Sequence, residues 1–233
     1  MPQIILTPLL IFFTLASYLG FRHLYAKYNH PLLNVVVLSA AAVIALLLVC
    51  DIPYESYLPA QKIMTFLLGP ATVGLAVPLY RYRKLLMRAA PAIIGSVAVG
   101  AFIAMFSASV IAAFGGLPRN VVISIMPKGV SIPFAIEVAR MYDGDPALAS
   151  AFVVATGTLG SLLGIWTMNL FRITAPMSRG LALGTVSHAQ GTAAALQEGE
   201  MPGAMGGLAM ILAGILTAAF APLTVWILER LGV

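Results

Sequence analysis

The chain has 233 residues, of which 61% are hydrophobic and only 9% charged, with a formal net charge of +5. No soluble domain of this length needs so much apolar surface, so the composition indicates one integral membrane domain over 1–233 and leaves no room for a soluble one. The basic residues fall in short loops, as in cytoplasmic membrane loops, and nothing suggests nucleic-acid binding. The apolar runs are about 20 residues long, which selects spanning helices over barrel strands. Cys50, the only cysteine, cannot form an internal disulfide and reads as a packing residue.

In chain order, Ile4 to Phe21 is the first expected span, retained because it lacks a basic leader and is too long for an ordinary signal peptide. A basic loop with Arg22, His23, Lys27 and His30 follows, and Pro31 opens a second helix, Leu32 to Cys50. Asn34 near its start is either an interfacial cap or part of a polar site. An acidic loop with Asp51 and Glu55 leads to a third segment, Ala60 to Tyr80. There Gly69-Pro70 is expected to break the helix, and Thr72 adds a hydroxyl. Arg81, Arg83, Lys84 and Arg88 form the densest basic loop, a topology determinant.

Ala89 to Phe114 is a small-residue helix. It leads into Leu117 to Met141, which carries Lys128 between Pro127 and Pro133, with Ser131 close by. Each proline lacks an N–H and disfavours helical geometry in the residue before it, so the backbone is expected to open around Lys128. Opened backbone survives in a membrane only where protein or a wet cavity covers it. A charge beside such a break is how carriers commonly build a binding site. Pro146 to Phe171 carries Gly157, Gly160 and Gly164. The stretch Ser178 to Glu198 then places Gly184, Thr185, Ser187, His188, Gln190, Gly191 and Thr192 within nine positions, too polar for a lipid-facing helix. Gly184 and Gly191 are expected to break it. The last helix runs from Gly203 to Leu228.

Segments 89–145 and 146–200 share an order: small-residue helix, broken polar segment, acidic turn. This is the internal symmetry of an inverted repeat. Loops 22–30, 81–88 and 172–179 hold eight of the thirteen Lys and Arg residues. All three reach the cytoplasm if Leu117 to Met141 is a re-entrant hairpin entering from outside. Ser178 to Glu198 would enter likewise from inside, so that Lys128 and His188 meet near the midplane. Two spanning broken helices are the alternative. The expected fold is all-α, a polytopic membrane protein with about 6–8 membrane segments, two of them broken or re-entrant.

PLLN at 31–34, GPATVGLAVPLY at 69–80, MPKGVSIPFA at 126–135 and RGLALGTVSHAQGTA at 179–193 resemble the LrgB/CidB family, in the same order over nearly the whole chain. The resemblance implies further hydroxyl groups around Lys128, where this chain has Gly129 and Ile132. It also implies two functional readings. Bacterial members are named antiholin-like proteins or autolysis modulators, tied to control of murein hydrolases beside a small holin-like partner. Plastid members resemble carriers of glycolate and glycerate, and bacterial relatives are linked to pyruvate.

The residues favour a carrier of small monocarboxylates. Lys128, Ser131, Ser187, His188, Gln190, Thr192, Thr72 and Asn34 are the candidate substrate contacts, with His188 as proton carrier because its ordinary pKa of about 6.5 lies within the physiological range. The alternative is a holin-related regulator acting through a membrane partner. An enzyme is not expected, because Ser187 and His188 are adjacent and have no orienting carboxylate. Nor is a metal or other cofactor. A homodimer in a bacterial cytoplasmic membrane completes the expectation.

Overall fold

The computed structural model of the protein describes residues 3–28, 35–74 and 76–232. Their regular structure is all helix, with no strand among them, and they form two compact units, Met1–Ala76 and Val77–Val233. Four of the helices are long and apolar enough to cross a membrane. With the shorter apolar helices, this is the architecture of a polytopic membrane protein.

The first unit holds α1 (Gln3–Tyr28), α2 (Val35–Val49) and α3 (Leu58–Gly74). Leu6, Leu10 and Ala60 are its buried centre. Two expectations are corrected. Helix α1 does not end at Phe21: Arg22, His23 and Lys27 continue it, and cations near a helix C-terminus are favoured by the helix dipole. Helix α3 does not break at Gly69-Pro70 but runs on to Gly74, and a short α4 (Ala76–Arg81) follows. A proline within a helix can leave a kink instead of an end.

The second unit contains α5 (Arg83–Phe114), α6 (Arg119–Ile125), α7 (Ile132–Met141), α8 (Pro146–Leu170), α9 (Pro176–Glu198) and α10 (Glu200–Arg230). Helix α5 starts at Arg83, not Ala89, so most of the expected basic loop is helix. Its 32 residues span about 48 Å, which is longer than a hydrocarbon core, and the basic first turns extend beyond the apolar part. Asp145 caps α8: its Oδ1 accepts from the amides of Ala147 (2.7 Å) and Leu148 (3.1 Å), and Pro146 occupies the first turn, where a missing N–H costs nothing.

Both polar segments turn back on themselves. The chain leaves helical geometry between α6 and α7, around Lys128, and α7 then returns beside α6. The Asp145 amide donates to Ser124 Oγ at 2.7 Å, and a Cβ on Gly144 would stand 2.9 Å from Ile123 Cγ2. A spanning segment would hold these residues far apart. Pro127 lies in the break, whereas Pro133 opens α7 at its first turn and so starts a helix instead of interrupting one.

Helix α9 is likewise two arms, 176–187 and 189–198, joined at His188 (φ 42°, ψ −126°). Arg179 near its start is ion-paired with Glu198 at its end, with Nε 2.7 Å from Oε2. In one straight helix these residues would stand roughly 28 Å apart. The expected breaks at Gly184 and Gly191 are not there. A Cβ on Gly184 would come within 2.1 Å of the Gly206 carbonyl, and one on Gly191 within 2.0 Å of the Leu183 carbonyl. These glycines allow backbones to touch, as small residues do between membrane helices.

The hairpins enter from opposite ends of α8. Val130, Ala135 and Ala139 of the first pack on Ala149 and Val153 in its N-terminal half. Leu183, Ala194 and Ala195 of the second pack on Met168 near its C-terminus. Arg81, preceding α5, pairs with Glu200 at 2.8 Å beside the mouth of the second hairpin, while α5 ends where the first begins. Helices α5 and α8 are therefore antiparallel, and each helix with its hairpin forms one half of an inverted pair. In a Cys50→Ser background, Arg119→Cys and Asp143→Cys should both react with an impermeant thiol reagent from one side of the membrane. Arg172→Cys and Gly199→Cys should react from the other. Labelling of 119 and 143 from opposite sides would replace the hairpin with a span.

Candidate functional site

The site lies where the two hairpin tips meet α8. At the first tip, the residues between α6 and α7 leave Lys128 half-buried, and among the described residues no hydrogen bond or ion pair engages its ammonium. Gly129 sits against the second hairpin, where a Cβ would stand 3.6 Å from the Thr185 carbonyl.

At the second tip, His188 is 5% exposed. Its Nε2 lies 3.0 Å from the Val153 carbonyl of α8. A carbonyl only accepts, so Nε2–H donates. Within the second arm, the His188 carbonyl accepts from Thr192 Oγ1 at 2.9 Å. Its positive φ with extended negative ψ is a conformation glycine adopts freely and a histidine only at a cost of about 1–3 kcal/mol. A histidine at a position suited to glycine points to a requirement for the ring.

The glycines of α8 make room for this tip. A Cβ on Gly157 would stand 2.6 Å from His188 Cε1 and Nε2, and one on Gly160 would collide with Ser187 Oγ. Beside the tips is a cavity of about 660 Å³, open along α8 and the first arm of α9, lined by Lys128, Thr156, Gly160, Gly164, Leu183 and Ser187 among others. Ser187 is 1% exposed, and its Oγ has no partner among the described residues.

Of the residues expected from sequence, Lys128 and Ser187 line this cavity together. His188 and Thr192 belong to the construction of the tip behind it. Gln190 accepts from Thr158 Oγ1 at 3.1 Å, a second tie to α8. Ser131 stands at the start of α7 without a side-chain cap bond. Asn34 and the side chain of Thr72 lie outside the described residues. Thr156, Thr158 and Thr167 of α8 were not foreseen. The signal was there, since Thr156, Gly160, Leu163 and Thr167 recur at helical spacing on one face.

The long apolar helices and the two opposed hairpins place the chain among polytopic helical membrane proteins. The comparisons refine that class. The LrgB-like family matches over residues 14–227, and the chain belongs to it. The chain is 36% identical over 212 residues to the uncharacterized protein YwbG of Bacillus subtilis, covering 91% of this chain and 94% of that one. It is 34% identical to YxaC of the same organism, covering 97% and 99%. It is 29% identical to the holin-like protein CidB of Staphylococcus epidermidis, covering 93% and 95%. No solved structure matches the chain.

The contact between Gly160 and Ser187 gives a direct test of the tip. Gly160→Ala should destabilise the folded protein by about 1–3 kcal/mol through overpacking, read as earlier thermal unfolding in detergent. Adding Ser187→Gly should restore most of the loss. If Gly160→Ala alone is neutral, the tip does not sit against α8 as described.

Proposed function

We propose that this protein is a carrier for small monocarboxylates of the glycolate, glycerate, lactate or pyruvate class, coupled to proton movement. The observation that carries the reading is Lys128, which has no partner among the described residues and stands at the meeting point of two hairpin tips. A charge at the bilayer centre costs about 2.5–3.5 kcal/mol even on the mild insertion scale, and an incoming carboxylate offsets that cost. Ser187 Oγ, buried and without a partner among the described residues, lines the same cavity and supplies an O–H donor to the same anion. The inverted pair supports alternating access, in which one hairpin yields on each side while the tips share the bound anion.

His188 is the candidate proton carrier, though its bond to Val153 also gives it a holding role. Arg81, Arg83, Lys84, Arg88, Arg172 and Arg179 share the end of the unit at the mouth of the second hairpin. By the positive-inside tendency this end faces the cytoplasm of a bacterial inner membrane. A homodimer, and a carrier rather than an enzyme, complete the proposal. The second reading is regulation of murein hydrolases with a small holin-like partner. It is favoured by one observation, the holin-like designation of the staphylococcal relatives.

Vesicles containing only this protein should accumulate labelled glycolate, glycerate, lactate or pyruvate. Lys128→Ala should weaken apparent affinity about ten- to a hundredfold at every pH, the worth of a charge-assisted hydrogen bond. His188→Gln should retain binding while the pH dependence of transport flattens. An unchanged pH profile would confine His188 to its holding role, and no uptake of any of these acids would favour the regulatory reading.

A further inference from the structure

The proposed carrier site is most polar at its inner end, and farther along α8 the Thr167 hydroxyl alone interrupts the apolar lining. Lys128, Thr156 and Ser187 gather at its inner end, at the level of the hairpin tips. From there the groove follows α8 as far as Met168, twelve residues on, or about 18 Å of helix. Along that length its walls are chiefly Leu159, Leu163, Leu183 and Val186, with Gly160 and Gly164 leaving space between them. Leu159 and Leu163 are 57% and 54% exposed, so the groove opens sideways, toward the membrane. A polyhydroxylated acid held by its carboxylate at Lys128 would turn its remaining hydroxyls toward leucine. Those groups would lose water without gaining partners, a stronger basis for rejection than a missing methylene. An aliphatic chain loses nothing there and gains burial.

We infer that this site selects monocarboxylates bearing an aliphatic chain, with the carboxylate on Lys128 and Ser187 and the chain lying along α8 between Leu163 and Leu183. The inference rests on the carrier reading above and names its substrate class. It orders the candidate acids: those ending in a methyl group bind better than those ending in a hydroxyl, and longer chains bind better than short ones until the groove is filled.

The test is competition binding to the purified full-length protein in nanodiscs. Unlabelled glycolate, glycerate, 2-hydroxybutyrate and 2-hydroxyhexanoate displace labelled lactate, and Lys128→Ala protein serves as the background for partition into lipid. Lys128-dependent affinity should rise about fourfold per added methylene, the worth of burying one CH₂, and glycerate should bind less tightly than 2-hydroxybutyrate. Leu163→Trp should flatten the series by filling the groove, and Val186→Phe on the opposite wall should do the same. A flat series in the unaltered protein, or glycerate as the tightest competitor, would overturn the inference and leave the carrier reading standing. The same flat series is expected if a bilayer lipid occupies the groove. No Lys128-dependent binding of any acid would remove the carrier reading and this inference with it.

Discussion

The hydrogen bond from His188 Nε2–H to the Val153 carbonyl is the contact on which the second hairpin depends. A helix that stops inside a bilayer exposes backbone groups that hydrocarbon cannot satisfy. At His188 the ring ties the tip to α8, and the Thr192 hydroxyl donates to the His188 carbonyl at the start of the second arm. Glycines at 157 and 160 then follow as a steric requirement, because any side chain there would displace the ring or Ser187.

The mouths of the hairpins are held by different chemistry. At the first, a backbone amide at Asp145 meets the Ser124 hydroxyl, and the same aspartate caps α8. At the second, Arg179 forms a hub: it pairs with Glu198 and donates from Nη1 to Asn169 Oδ1 (2.9 Å) and the Ile173 carbonyl (2.8 Å). The arginine and glutamate side chains are only 12% and 19% exposed, unlike the solvent-facing pair Arg81–Glu200. An exposed pair contributes little, whereas breaking a largely buried one leaves an uncompensated charge. Arg179 therefore ties both arms of the hairpin to the end of α8.

The first break was legible because its cause is local. Pro127 lacks an N–H, and the bend falls beside it. The second break was placed at the wrong residues. Gly184 and Gly191 carry the usual signature of a break, but both serve close packing, and the chain turns at a histidine whose conformation is imposed by a contact with α8. Pro70 misled in the other direction, since α3 continues past it. The hairpin topology was recoverable from loop charge, because Arg83 and Arg172 need to share a side and three full crossings would forbid it. The Val153 carbonyl could not be foreseen, since a backbone acceptor has no residue signature. The end of α1, the start of α5 and the end of α10 were underestimated, and at each of them basic residues continue an apolar helix.

These features converge on one chemical arrangement, an ammonium and a buried hydroxyl at a covered break between opposed hairpins. The central claim is that a carboxylate binds there as an ion pair with Lys128. Isotope-edited infrared difference spectroscopy of ¹³C-carboxylate-labelled lactate on the purified protein reads that contact directly. The account predicts a bound carboxylate band displaced from its position in water, lost in Lys128→Met. No displaced band, or the same band in Lys128→Met, would contradict it.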